Sequence, residues 1–265
     1  MKFSHIIPLL LIATSLVSCT EVIDIDLNES EQTIVIEGIL RDRPDGNQVQ
    51  ITKTGSYFSP GEYPTVSDAM VSITDSDGNQ TTLSETEDGI YSIPFAGESG
   101  ETYTLTVEAE GESYEAVAKM QEPISIDSIS FFERGSNPLF GGDGGFAVVA
   151  NLLDPEGTTD YLLFELEVNG ELQSSLTLYE GSQTDGISVQ VPFIPLLLQE
   201  GDEVIVNTYA IEREAYEYYN TLAEIAGTGF ATTSATPANP ISNWSNDALG
   251  YFGVLAQTRF EAVVQ

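Results

Sequence analysis

From Thr33 onward the chain alternates apolar and polar positions in short runs, each closed by Gly, Pro, Asp or Asn. Val49, Ile51 and Lys53 alternate with polar neighbours, Ala69, Val71 and Ile73 do so again, and Tyr103, Leu105, Val107 and Ala109 give the cleanest case. A period of two sends successive side chains to opposite faces, so each run predicts a strand with one buried and one wet face. Sheets of that kind cover their apolar face with a second sheet. Asp45-Gly46, Asp77-Gly78, Asp88-Gly89, Ser99-Gly100 and Glu110-Gly111 mark turns, because Gly tolerates positive φ and Asp bonds its own backbone. Their spacing of roughly ten residues suits a sandwich.

A boundary falls around Met120 to Ile124, where Pro123 interrupts the pattern. Beyond it, strands are predicted over Phe146 to Leu153, along Leu162, Phe164, Leu166 and Val168, through Ile187 to Phe193, over Val204 to Ile211, and from Leu249 to Val264. Asn169-Gly170 is the strongest hairpin signal, with Leu172 to Leu178 returning along its partner. A helix is predicted near 211–226, where Ile211, Ala215, Tyr218, Leu222 and Ile225 recur at three and four residues and Gly227 stops the run. The expected fold is mainly β: a sandwich over 33–122, then a second β-rich domain with one helix over 123–265. The first sandwich is expected to be immunoglobulin-like or prealbumin-like. Three stretches, Val66 to Gly78, Asp88-Gly89-Ile90-Tyr91-Ser92 and Gly100 to Val107, resemble such modules of bacterial surface proteins.

Residues 1–18 read as a signal peptide. Lys2 gives a positive start, Ile6 to Val17 run apolar, and Leu16-Val17-Ser18 precede Cys19, the sole cysteine. The stretch is shorter than the roughly 20 apolar residues a spanning helix needs, and Pro8 weakens it further. Cleavage before Cys19 leaves a thiol at the new N-terminus. The arrangement resembles the bacterial lipoprotein signal, which implies diacylation of Cys19 and an anchor in membrane lipid. Two acyl chains hold where one does not. Residues 19–32, acidic and poor in turn chemistry, are expected to be a tether.

Composition narrows the chemistry. The only histidine, His5, lies in the leader, so the chain from Cys19 has no imidazole for Ser-His or Cys-His catalysis. Histidine and thiolate metal sites are excluded by the same count, and neither a metal nor a cofactor is expected. Lys2 is the leader's one charged group, so removing it takes the formal charge from −34 to −35. Nucleic acid is excluded as a partner, because phosphate binding runs on clustered Lys and Arg. Asp75-Ser76-Asp77-Gly78-Asn79 begins like a calcium loop. Gln80 stands where such a loop needs Gly and Thr86 where it needs Glu, so a tight turn is the better reading. Carboxylates are numerous enough that a carboxylate-dependent glycosidase remains a formal alternative.

Three aromatic residues are candidates for ligand contact. Tyr216 and Tyr219 lie on the predicted helix, where tyrosine offers apolar area and a hydroxyl. The competing reading is a stripe that packs on the sheet. Trp244, the only tryptophan, lies in a Gly-, Thr-, Ser-, Pro- and Asn-rich stretch from Gly227 to Asp247. It either stacks on a sugar or apolar ligand, or plugs the loop onto its domain.

Several elements together resemble a family of Bacteroidetes outer-membrane lipoproteins known only as a domain of unknown function. They are Cys19 and its acidic tether, Ile34 to Leu40, the strand and turn from Ala69 to Gly78, Asp127-Ser128-Ile129, the Tyr-rich helix, and Pro237 to Asn243 continuing into Leu249-Gly250-Tyr251-Phe252. Many relatives carry cysteines in the second domain that this chain lacks. The resemblance implies an accessory lipoprotein of a TonB-dependent transporter, acting in ligand capture or docking on the periplasmic or extracellular face of the outer membrane. It supplies no catalytic residue. Glu21, Asp24 and Asp26 are similar to a surface-export signal, and Asp127-Ser128-Ile129 to an O-glycosylation sequon at Ser128. A structural or adhesive surface module is the alternative.

Overall fold

The computed structural model describes residues 32–56, 61–135, 144–174, 176–225 and 239–265. Cys19, the tether up to residue 31 and most of the Gly227 to Asp247 stretch lie outside the described residues. Sixteen strands and one helix are present among them. The first stretch holds β1 (Ile34–Arg41), β2 (Gln48–Lys53), β3 (Met70–Thr74), β4 (Gln80–Thr82), β5 (Ser84–Glu87), β6 (Ile90–Ser92), β7 (Thr102–Ala109) and β8 (Glu112–Lys119). The second holds β9 (Ser128–Arg134), β10 (Gly145–Leu153), β11 (Tyr161–Val168), β12 (Glu171–Leu172), β13 (Thr177–Glu180), β14 (Ser188–Leu198), β15 (Glu203–Ile211), α1 (Arg213–Ile225) and β16 (Phe252–Val263).

One long sheet backs two shorter ones. Its order is β12-β11-β15-β16-β1-β2-β6-β5, with β13 also paired to β11, and the shorter sheets run β4-β3-β7-β8 and β14-β10-β9. The alternating rows meet between the layers: Ile36, Leu40, Val49 and Ile51 face Val71, Ile73, Leu105 and Val107, while Phe164, Leu166, Val204 and Val206 face Val148, Ala150, Leu152 and Phe193, all in one continuous core. The fold is thus mainly β and built of packed sheets, as the period-two pattern predicts.

Local signals set the hairpins. Asn169 and Gly170 both have positive φ, 52° and 81°, the geometry of the two-residue turn whose twist matches the strands it joins. The return strand is broken, however: β12 pairs with Glu167 and Val168, and β13 pairs with Tyr161 to Phe164. At the other end, β4 belongs to one sheet and β5 to the other, with buried Leu83 between them bonding its N–H to Val71 O at 2.8 Å.

The two stretches on either side of Met120 to Ile124 share the long sheet. β1 runs parallel to β16, with Gly38 opposite Phe252 and Arg41 opposite Leu255. Residues 32–265 form one compact unit by their contacts. Two glycines permit this seam. A Cβ on Gly38 would meet Leu105 and Phe252 side chains at 2.9 Å, and one on Gly250, whose φ is +90°, would lie 2.2 Å from Ile36 O. The helix covers the opposite face of the sheet, over Leu163, Tyr209, Ile211, Tyr251 and Leu255.

Candidate functional site

The outer face of β11, β15 and β16 changes character along its length. Near α1 it is aromatic. The helix begins with Glu214 in its first turn, favourable beside the positive end of the helix dipole, and buries Ala215, Tyr218 and Ala223. Tyr218 stacks on Tyr251 with ring centroids 4.9 Å apart, and Tyr219 meets Tyr218 edge-on at 5.3 Å. Tyr216 lies against Tyr161 at 5.2 Å. Both sequence candidates on the helix, Tyr216 and Tyr219, are half-buried and packed on the sheet. Burial pushes the Tyr218 hydroxyl up to about 12 and raises those of Tyr219 and Tyr251 as well. All three are therefore neutral hydroxyls at neutral pH.

Away from the helix the same face becomes polar. Cross-strand register sets Glu165 beside Asn207, and Asn207 beside Arg259. Asn207 and Tyr209 are almost fully buried. The Tyr209 hydroxyl donates to Glu165 Oε2 at 2.7 Å, Asn207 Nδ2 donates to Glu167 Oε1 at 2.8 Å, and Gln257 Nε2 donates to Asn207 Oδ1 at 2.9 Å. Burial, and then the bond to Glu165, raise the Tyr209 hydroxyl far above its ordinary value. Gln257 Oε1 and Arg41 Nε are buried with no hydrogen-bond partner. Leaving such an atom unpaired costs about 1–3 kcal/mol. Chemically the face presents neutral hydroxyls, amides and carboxylates already paired with one another.

Sequence reasoning missed this network. It followed Leu162, Phe164 and Leu166 into the core and left Glu165 and Glu167 to solvent. The legible signal was Asn207 inside the largely apolar run from Val204 to Ile211: a buried polar side chain in a strand needs partners.

Trp244 is elsewhere and serves as a plug. It is 7% exposed and packed in the main core, and its indole N–H donates to Ile36 O at 2.9 Å. Its neighbours stitch the segment to the open edge of β8: Ser245 N–H donates to Glu115 O at 2.9 Å, and Glu115 N–H returns a bond to Ser245 Oγ at 2.8 Å. This burial corrects the stacking-platform expectation, since no ring face is left for a sugar.

The calcium-like loop is a turn. Asp75 Oδ1 accepts the N–H groups of Asp77 and Asn79 at 3.0 and 2.9 Å, and Oδ2 accepts Asn79 Nδ2 at 2.9 Å. These bonds, the Asn79 side chain first, hold the exposed carboxyl below its usual range. Among the described residues no group of three or more His, Cys, Asp or Glu could hold a metal ion. No described helix is long and apolar enough to cross a membrane.

A family described as a domain of unknown function, DUF4249, matches residues 20–261. The chain belongs to this family. No curated protein matches it. Among solved structures, a two fibronectin type III domain segment from chicken tenascin aligns at 14% identity over 70% of this chain and 89% of that chain, with a TM-score of 0.22. At that score the description of the fold rests on the sheets themselves.

Proposed function

We propose that this member of DUF4249 is a noncatalytic lipoprotein of the outer membrane, anchored through acylated Cys19 and accessory to a TonB-dependent transporter in ligand capture or docking. The observation that carries the reading is the apolar leader closing on Leu16-Val17-Ser18-Cys19, with the family match beginning one residue later, at residue 20. The family match leaves residues 1–19 outside it, which supports treating the leader as separate from the body. The polar face beside α1, where carboxylates are paired with amide and phenol donors, is compatible with holding a polar ligand. Extraction of native membranes in mild detergent, followed by pull-down on this chain, tests the reading. A copurifying transporter is the expected result, and repeated recovery of the chain alone sinks docking.

The sheet-on-sheet body favours a second reading, a structural or adhesive surface module. Removing residues 227–247 cannot separate the two, because it takes Trp244 out of the core. Deleting the whole chain from the cell does so. Loss of nutrient uptake supports the transport role, and loss of attachment supports adhesion.

A further inference from the structure

The outer face of the β9-β10-β14 sheet is short of charge in a chain with 42 acidic residues. Strand alternation turns Ile129, Phe131, Val148, Ala150, Leu152, Val191 and Phe193 toward the core. The opposite face therefore carries Ser128, Ser130 and Phe132 from β9, Asn151 and Leu153 from β10, and Ser188, Gln190 and Pro192 from β14, with Ala147 and Val149 of β10 buried on it. Arg134 stands at one end of this face and Asp127 at the other. An open groove of about 710 Å³ runs over it, lined by Ser128, Ser130, Asn151, Ser188 and Gln190, with Asp127 its one charged wall.

The amides of this groove are fixed before any ligand arrives. Asn151 lies in one cross-strand row with Ser128 and Gln190. Its Nδ2 donates to Ser130 Oγ at 3.0 Å and to Ser128 O at 3.2 Å, and its Oδ1 accepts from Gln190 Nε2 at 3.0 Å. A side chain already held in place loses little rotamer freedom on binding. Around this row lie the hydroxyls of Ser128 and Ser188 and the carbonyl of Gln190, all on exposed residues. On the same face but outside the groove's lining, Phe132 and Leu153 are exposed apolar side chains, at 46% and 53% exposure.

We infer that this groove binds a neutral polysaccharide. Hydroxyls and amides both donate and accept, as the hydroxyls of a sugar require. Beside the groove, the exposed Phe132 ring and Leu153 side chain suit the C–H surfaces of pyranose units that extend past it. A polyanion is disfavoured by the charge of the body, and a cation finds one carboxylate. A peptide strand added to the free edge of β14 is disfavoured too, since Pro192 removes a backbone donor there. An open groove accommodates a run of a polymer.

The inference is independent of transporter docking, which copurification tests; here the readout is binding by the purified protein. Native gel electrophoresis is run with glucan, mannan, galactan or xylan cast into the gel, and with alginate as the anionic control. Retardation by at least one neutral polymer and none by alginate is expected. Asn151→Ala combined with Gln190→Ala is expected to abolish it. Ser188→Arg, which removes no bond seen in the structure and sets a long side chain over the groove, is expected to weaken it with the circular dichroism unchanged. No retardation in any neutral polymer, retardation in alginate alone, or unchanged retardation in Ser188→Arg overturns the inference.

Discussion

The two faces of β11, β15 and β16 belong to the same strands and do different work. Inward they carry Leu162, Phe164 and Leu166, Val204 and Val206, and Phe252, Val254 and Ala256, all buried in the main core. Outward they carry Leu163, Glu165 and Glu167, Asn207 and Tyr209, and Tyr251, Leu255 and Gln257, where aromatic contacts grade into a hydrogen-bonded network. The inner face is held by area removed from water, which is non-directional and tolerates no gap. The outer face is held by paired donors and acceptors, whose net worth is small while they are satisfied and whose loss is costly when one is removed. Stability therefore resides chiefly on one side, and paired polar groups on the other.

Substitutions at matched depth sharpen that contrast. Phe164 packs edge-on against Phe193 at 5.8 Å, and Phe164→Ala is expected to cost about 3–5 kcal/mol, read as a large fall in the denaturant midpoint. Trp244→Phe keeps an apolar ring but strands the Ile36 carbonyl; a loss of about 1–3 kcal/mol is expected in the same measurement. On the outer face, Tyr209→Phe takes the donor from Glu165 and is expected to cost about 1 kcal/mol. An equal loss for Tyr209→Phe and Phe164→Ala would erase the distinction between the faces.

The smallest effect is a pH dependence. Glu212, just before α1, has its carboxyl raised, chiefly by burial, against a bond from the Lys119 N–H. A raised folded value means the folded state holds the proton more tightly than the unfolded chain. The resulting stabilisation is complete below the ordinary glutamate range and is lost as pH rises through the raised value. Glu212→Gln keeps an acceptor for Lys119 and removes the charge, so its melting temperature is expected to exceed that of the parent at neutral pH. The gap should close as pH falls to about 4. A gap that stays constant across that range would show that burial of the charge is not its cause.

Much of the fold was legible where a local rule governs. The helix expected near 211–226 is Arg213–Ile225, because a three-four repeat bounded by a stop signal is a property of the segment itself. Asn169-Gly170 makes its hairpin because few other pairs accept two positive φ values. The site was less legible. Tyr216 and Tyr219 were found by composition, yet their partners Tyr161 and Tyr218 show them packing on the sheet and its helix. Arg41 and Gln257 were not found, since nothing near either residue in the chain signals an unpaired atom.

The sequence by itself determined most of the longer strands, their core-facing rows, several turns, the helix and the absence of imidazole beyond His5, because each depends on spacing or residue type within a few positions. Tertiary structure alone decided that β1 lies parallel to β16, that two sandwich layers share one sheet, and that Trp244 closes the core by bonding to a residue 208 positions away. Such contacts join segments that are each adequate strands or loops on their own. The preference for one pairing over another exists only when both surfaces have formed and are competing to leave water.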